Sequence, residues 1–378
     1  MGLHELTLRN FRLFTEFHFQ PDPSAITVLL SPNGTGKTSV LEAVFALATS
    51  TSFRTSVASD MIRANQQLAE VHGALFQQER RIQIDLTLTR GLRNTTKKML
   101  VNGQRPLNRS VISEVLPLTV FTPEGVDIVR QGPEQRRNYL TNLLTDVDLT
   151  TGEVIERFAK VLSQRNALLR SLQGEAPTHA QREELFVWDT EFCEVSEKVL
   201  EIRTKLVDQL APLVTDFYQE LAQNDRGVGV RYEKSWSGSL IDALRDALRD
   251  DQYRGHSTVG PQRDDIALVL DGRDARRQAS QGEQRSLALA LRLAGHELVR
   301  QQRNLDPLLL LDDVFSELDP LRSDRLFNCC PRAKLLSRRP HLCRVVWIPP
   351  PGLTSRRYRH EKESRRTTST RRDSRCRG

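Results

Sequence analysis

The sequence predicts an α/β fold in which one strand-and-helix domain is assembled from both ends of the chain, with a mainly helical unit inserted between. Three observations carry this. A strand, a glycine-rich turn and a helix follow one another within residues 25–47. Long amphipathic stretches fill the middle of the chain, and a short apolar strand at 307–311 ends in two carboxylates. At 378 residues the chain has room for two domains with a sizeable core. Its apolar runs fall short of a membrane span and the N-terminus lacks the hydrophobic region of a signal peptide, so a cytoplasmic protein with no membrane partner is expected.

In chain order, residues 3–11 and 14–19 alternate apolar and polar side chains, the pattern of a hairpin with one buried face. The run at 25–30 is a buried strand and 39–47 is a helix. Further strands are expected at 71–76, 81–88 and 98–101, the last ending at Asn102-Gly103. From Arg109 the pattern turns helical, with amphipathic stretches over 133–144, 153–172 and 182–221. Strand patterning returns at 228–232 and 266–270, and a helix over 283–300 leads to the apolar strand at 308–311. The expected parts are therefore 1–110 and 255–326 for the two-part domain, 111–254 for the helical insert and 327–378 for a tail.

The tail distorts the overall charge of +7. From Pro320 onward, 17 Lys and Arg stand against 4 Asp and Glu in 59 residues, a net +13 that leaves −6 on the rest. Leu, Ile, Val and Phe supply only 10 of those 59 residues, which with this charge predicts disorder. Cys329, Cys330, Cys343 and Cys376 lie there in no zinc or disulfide spacing, leaving Cys193 in the body. Regular patterning stops near Leu326, and out-of-frame translation is favoured over a genuine basic arm that binds nucleic acid.

Residues 31–38 (Ser31, Pro32, Asn33, Gly34, Thr35, Gly36, Lys37 and Thr38) are the most informative segment. Between a strand and a helix, small residues let backbone N–H groups close around phosphate oxygens, and the helix start adds partial positive charge. Lys37 then reaches the β- and γ-phosphates of a nucleotide and Thr38 holds Mg²⁺. The first glycine of the usual pattern is Ser31 here, a substitution that costs roughly 1 kcal/mol if the position needs a positive φ. At the end of the 308–311 strand, Asp312 is expected in the Mg²⁺ shell and Asp313 beside the attacking water. Ser280 and Glu283 form a capping box that opens a helix, and a capped helix start is also an anion site; taken alone the segment leaves both readings open. Its position about 30 residues before the carboxylate strand favours the second.

The order of these motifs (phosphate loop, Ser280-Gln281-Gly282-Glu283-Gln284, then 308–319) resembles the ABC-type ATPase heads of SMC and Rad50 proteins. More closely the chain resembles the RecF family, from residue 1 to about 326. The resemblance runs through Leu8-Arg9-Asn10-Phe11-Arg12, Val120-Phe121-Thr122-Pro123-Glu124, Gly132-Pro133 with Arg136-Arg137, and Gln164-Arg165-Asn166. It is most specific in Gly260-Pro261-Gln262-Arg263-Asp264-Asp265, where the family usually has His in place of Gln262. It implies an α/β, ABC-type P-loop ATPase head (SMC/Rad50-like) with an inserted, mainly helical second lobe, and ATP with Mg²⁺ as ligands. ATP would clamp a head-to-head homodimer, with Ser280, Gln281 and Gly282 of one subunit touching the γ-phosphate on the other's Lys37. Asp313 would stand where related heads carry a catalytic glutamate, its shorter side chain matching weak, DNA-stimulated hydrolysis. Residues 316–319 would cross the dimer interface, and Arg12 is a further candidate for nucleotide contact.

The same resemblance implies binding to double-stranded and gapped DNA with RecR and RecO, loading of RecA, and a role in repair, replication restart and the SOS response in the nucleoid. The body being acidic, a duplex site has to be local. Arg80, Arg81, Arg90, Arg93, Lys97, Lys98, Arg105 and Arg109 meet one acid, Asp85, within residues 80–109, and are expected to line a face toward phosphates. A solvated hairpin surface is the competing reading. The alternative function is an ABC-type ATP-hydrolysing subunit of another DNA-associated or transport complex.

Overall fold

The computed structural model describes residues 2–22, 27, 29, 31, 32, 34–77, 80–106, 109–173, 178–223, 225–314, 322, 325 and 326. The tail, residues 316–319, Asn33 and most of the expected strand at 25–30 lie outside them.

The N-terminal strands are β1 (Gly2–Phe11), β2 (Phe14–Phe19), β3 (Leu68–Gln77), β4 (Arg80–Arg90) and β5 (Thr95–Val101), and the helix α1 (Lys37–Thr49) falls between β2 and β3. They form one antiparallel sheet in the order β2-β1-β3-β4-β5. Its inner face is the apolar half of the alternation: Leu6, Leu8, Val71, Ile84, Leu86 and Leu88 are fully buried. Against it lies α1, whose Val40, Leu41, Val44 and Leu47 belong to the same core. Each such side chain stabilises the fold by about 1.5–3 kcal/mol. The helix comes so close that a Cβ on Gly73 would lie 2.5 Å from Leu47 Cδ1, which is why β3 carries glycine there.

Next come α2 (Arg109–Val115), β6 (Leu118–Phe121), α3 (Asp127–Arg130), α4 (Pro133–Val147), α5 (Thr151–Ser171) and α6 (His179–Ala222). The 44-residue α6 starts at a Thr178/Gln181 capping box and passes through Pro212 without a break. After it stand β7 (Val228–Glu233), α7 (Leu240–Arg254), β8 (Asp265–Leu270), β9 (Arg273–Asp274), α8 (Ala275–Gln278), α9 (Gln281–Arg303) and β10 (Leu308–Leu311). β7, β8 and β9 make a second antiparallel sheet.

The helical pattern read from Arg109 onward is corrected at Leu118–Phe121, which is strand β6 and pairs in parallel with β10. Only Phe121 of the four is buried, and a run this short shows no alternation, so periodicity cannot separate it from a helical segment. Helix α7 was likewise not anticipated by name, although its Leu240 and Leu244 pack into the helical core.

Buried ion pairs tie the helical middle together. Arg165 on α5 is fully buried, with Nε donating to Asp189 at 2.7 Å and Nη1 donating to Asp251 and Ser257, each at 2.7 Å. The segment 260–265 is a second tie. Arg136 on α4 holds both oxygens of Asp265 at 2.7 and 2.8 Å, and Arg203 on α6 donates to Pro261 O at 2.8 Å. Asp264 accepts from Tyr232 Oη at 2.5 Å and Ser235 N at 2.8 Å.

Candidate nucleotide site and the surfaces beside it

The phosphate loop closes on glycine geometry. Gly34 has φ 83° and Gly36, the N-cap of α1, has φ 103° and ψ 13°. A Cβ on Gly36 would lie 2.6 Å from Phe14 Cζ, so backbone angle and space both demand glycine. Because Gly36 supplies no side-chain cap, the first-turn N–H groups of α1 stay available at the positive end of the helix. Lys37 Nζ donates to Ser31 O at 2.6 Å and Pro32 O at 3.1 Å, which places an ammonium over the mouth of the loop.

Ser31 does not fall among the residues with positive φ, so it carries no left-handed strain. Its hydroxyl bonds to the Thr35 hydroxyl, and Thr35 Oγ1 donates to Pro32 O at 2.9 Å. The serine is built into the loop, and its polar atoms close it from one side to the other.

The second half of the site comes from the far end of the sequence. β10 is buried at all four of its leucines, and its register with β6 continues one step further, Asp312 N donating to Phe121 O at 2.9 Å. That bond aims the carboxylate at α1: Thr38 Oγ1 donates to Asp312 Oδ1 at 2.9 Å. A hydroxyl and a carboxylate oxygen side by side are the donor pair Mg²⁺ takes from protein when phosphates and water fill its other positions. Among the described residues, no group of three or more His, Cys, Asp and Glu could hold a metal ion. Asp313 follows at the surface with φ 50°, a conformation Asp tolerates better than most residues.

Arg12 lies in the β1–β2 turn at φ 53°. Its Nε and Nη2 donate to the two oxygens of Glu42 at 2.8 and 2.5 Å. Glu42 is fully buried on α1, and it also accepts from Ser52 Oγ and from Arg54 Nη1 at 3.4 Å. Arg12 is therefore held one helical turn beyond Thr38 by a carboxylate that the sequence reading did not single out. The available signal was a lone acid within the apolar run 39–47.

Ser280 caps α9 as expected. Its Oγ accepts from Glu283 N at 3.3 Å, and Ser280 N donates to Glu283 Oε2 at 2.7 Å. That bond is the leading cause holding the Glu283 carboxyl below its ordinary range, and Arg226 adds an ion pair at 2.6 Å. Gln284 anchors the same turn, donating to Ala275 O and Arg276 O and accepting from Arg130 Nε at 2.9 Å. Further along α9, Arg292 Nη1 donates to Val120 O at 3.3 Å and His296 Nδ1 meets Thr119 Oγ1 at 3.1 Å. The helix bearing Ser280, Gln281 and Gly282 is thus fastened to β6, the partner strand of β10.

The eight basic residues expected on one face are spread out. Arg80 and Arg81 begin β4 while Arg90 ends it, about 33 Å away at roughly 3.3 Å per residue. Arg93 is at the hairpin tip, Lys97 and Lys98 are on β5, Arg105 follows β5, and Arg109 opens α2. Arg81 Nη2 pairs with Glu5 at 3.2 Å, an acid that the count over 80–109 left out.

No described helix is long and apolar enough to cross a membrane. Comparison with known proteins agrees with this architecture. The family described as the RecF/RecN/SMC N terminal domain matches residues 2–334. The chain is 34% identical over 349 residues to the DNA replication and repair protein RecF of Acidothermus cellulolyticus, covering 89% of this chain and 92% of that one. It is 31% identical to the protein of the same name from Halothermothrix orenii, covering 87% and 89%. A solved structure of the recombination mediator protein RecF-ATPrS in the RecFOR pathway superposes with a TM-score of 0.78 at 24% identity, covering 94% of both chains. The Smc head domain of Pyrococcus furiosus shares the fold more distantly, with a TM-score of 0.51 at 14% identity over 92% of this chain and 89% of that one.

Proposed function

Since the chain belongs to the RecF family of DNA replication and repair proteins, we propose that it is an ATP-dependent recombination mediator acting on double-stranded and gapped DNA. The observation that carries the nucleotide part is the Thr38–Asp312 pair at 2.9 Å beside a loop shaped by Gly34 and Gly36. The N–H groups at the start of α1 and the Lys37 ammonium receive phosphate oxygens. Thr38 and Asp312 would hold Mg²⁺, which when bound would neutralise phosphate charge. Asp313, exposed one residue further on, accepts a proton from the water that attacks the γ-phosphate.

Ser280, Gln281 and Gly282 stand at the start of α9, and in this reading they complete the site of a second copy. ATP then pairs two subunits, and slow, DNA-stimulated hydrolysis releases them. RecR, RecO and RecA are the partners that the family implies, in the cytoplasm at the nucleoid.

Sedimentation of the intact protein with and without ATP and gapped duplex tests this. Pairing that requires ATP and disappears in Lys37→Ala supports the reading; a monomer at saturating ATP, identical in both proteins, overturns it.

A further inference from the structure

We propose that the DNA phosphate backbone runs along only one face of the β4–β5 hairpin, over a cationic ledge of Arg63, Arg90 and Lys97 with Arg93 at its end. This rests on the DNA-binding reading above and narrows it to one surface.

The pleat sorts the charges. Lys97 pairs across from Leu88 and Lys98 from Thr87, and Leu88 is fully buried whereas Thr87 is not. Sequence neighbours on a strand point to opposite faces, so Lys97 shares the face of Leu88 and Arg90, and Lys98 shares that of Arg81 and Asp85.

The outer face is already compensated. Register places Arg9, Arg81 and Lys98 there with Glu5, Glu16, Glu70 and Asp85. Arg81 pairs with Glu5 at 3.2 Å, Arg9 lies 3.8 Å from Glu70, and Asp85 meets His72 at 2.8 Å. A polyanion gains little from a surface whose arginines are paired and whose carboxylates outnumber its lysine and arginines.

The inner face differs at the hairpin end, beyond the part that α1 covers. Arg90 Nη2 donates to Ser59 O at 3.1 Å, and Arg63 Nη1 donates to Leu13 O. Backbone carbonyls orient these guanidinium groups without cancelling their charge. Asp60 is the one carboxylate between residues 50 and 68, and it accepts from Thr55 Oγ1 at 2.8 Å. The backbone holds the ledge together: Arg63 N donates to Asn10 O, Gln66 N to Arg63 O, and Arg90 N to Gln67 O. Cations gathered at this end of the sheet, two of them oriented by backbone carbonyls, attract the phosphates of a duplex and read no sequence.

The test compares two double variants of the full chain, Arg90→Gln with Lys97→Gln and Arg81→Gln with Lys98→Gln, in binding to gapped duplex across a salt series. Both carry the same tail and lose the same charge. The first pair is expected to bind about tenfold more weakly near 0.1 M salt, with a slope of log affinity against log salt smaller by about 2. The second is expected to stay within about twofold of the parent. Equal losses in the two pairs, or a larger loss in the second, overturn the one-face assignment while DNA binding stands. A parent protein that does not bind duplex overturns both.

Discussion

Thr38 and Asp312, 274 residues apart in the chain, meet through a 2.9 Å hydrogen bond at the start of α1. Removing either partner should separate metal-dependent from metal-independent nucleotide binding. Asp312→Ala and Thr38→Ala are each expected to lose about tenfold or more in ATP affinity with Mg²⁺ present and much less with it chelated. Calorimetric titration under both conditions reads the difference.

Gly36 is constrained by angle and by contact, so Gly36→Ala should damage the loop rather than the global fold. Left-handed alanine costs about 1–2 kcal/mol, and its Cβ collides with Phe14. ATP binding is expected to disappear while the melting temperature falls by only a few degrees, as nucleotide titration and thermal unfolding would show.

The buried Arg165 is held by Asp189 and Asp251, which Arg165→Ala would leave without their cation. A loss of about 3–5 kcal/mol is expected in urea unfolding. Phosphate-loop binding should persist wherever the protein remains folded.

The capping box at Ser280 makes a pH prediction whose sign is fixed. Accepting the Ser280 N–H holds the Glu283 carboxyl below its ordinary value of 4.5, so the folded protein binds that proton less readily than the unfolded chain. Its stabilisation is full above the ordinary value and is lost as pH falls through the folded one. The melting-temperature gap between the parent and Glu283→Gln should therefore hold above the ordinary carboxylate value of 4.5 and shrink as pH falls below it.

Much of this architecture was readable from residues alone, because its strongest signals are local. The alternation in β1 through β5, the glycines at 34 and 36, and the Ser280/Glu283 spacing each state their own geometry. What escaped was non-local. β6 is four residues whose strand character comes from pairing with β10, nearly 190 positions later. The role of Glu42 depends on Arg12 and Arg54 arriving from two separate turns. The basic stretch is non-local in a different way: a linear count cannot see that Glu5 pairs with Arg81 at 3.2 Å, or that Lys97 and Lys98 point to opposite faces.

The parallel pairing of β6 with β10 also sets an order of events during synthesis. Lys37 and Thr38 leave the ribosome early, whereas Asp312 and the strand that aims it emerge only after most of the polypeptide has been made. A nascent chain therefore carries only half of the candidate nucleotide pocket for most of its translation, and the residues that complete it are made late.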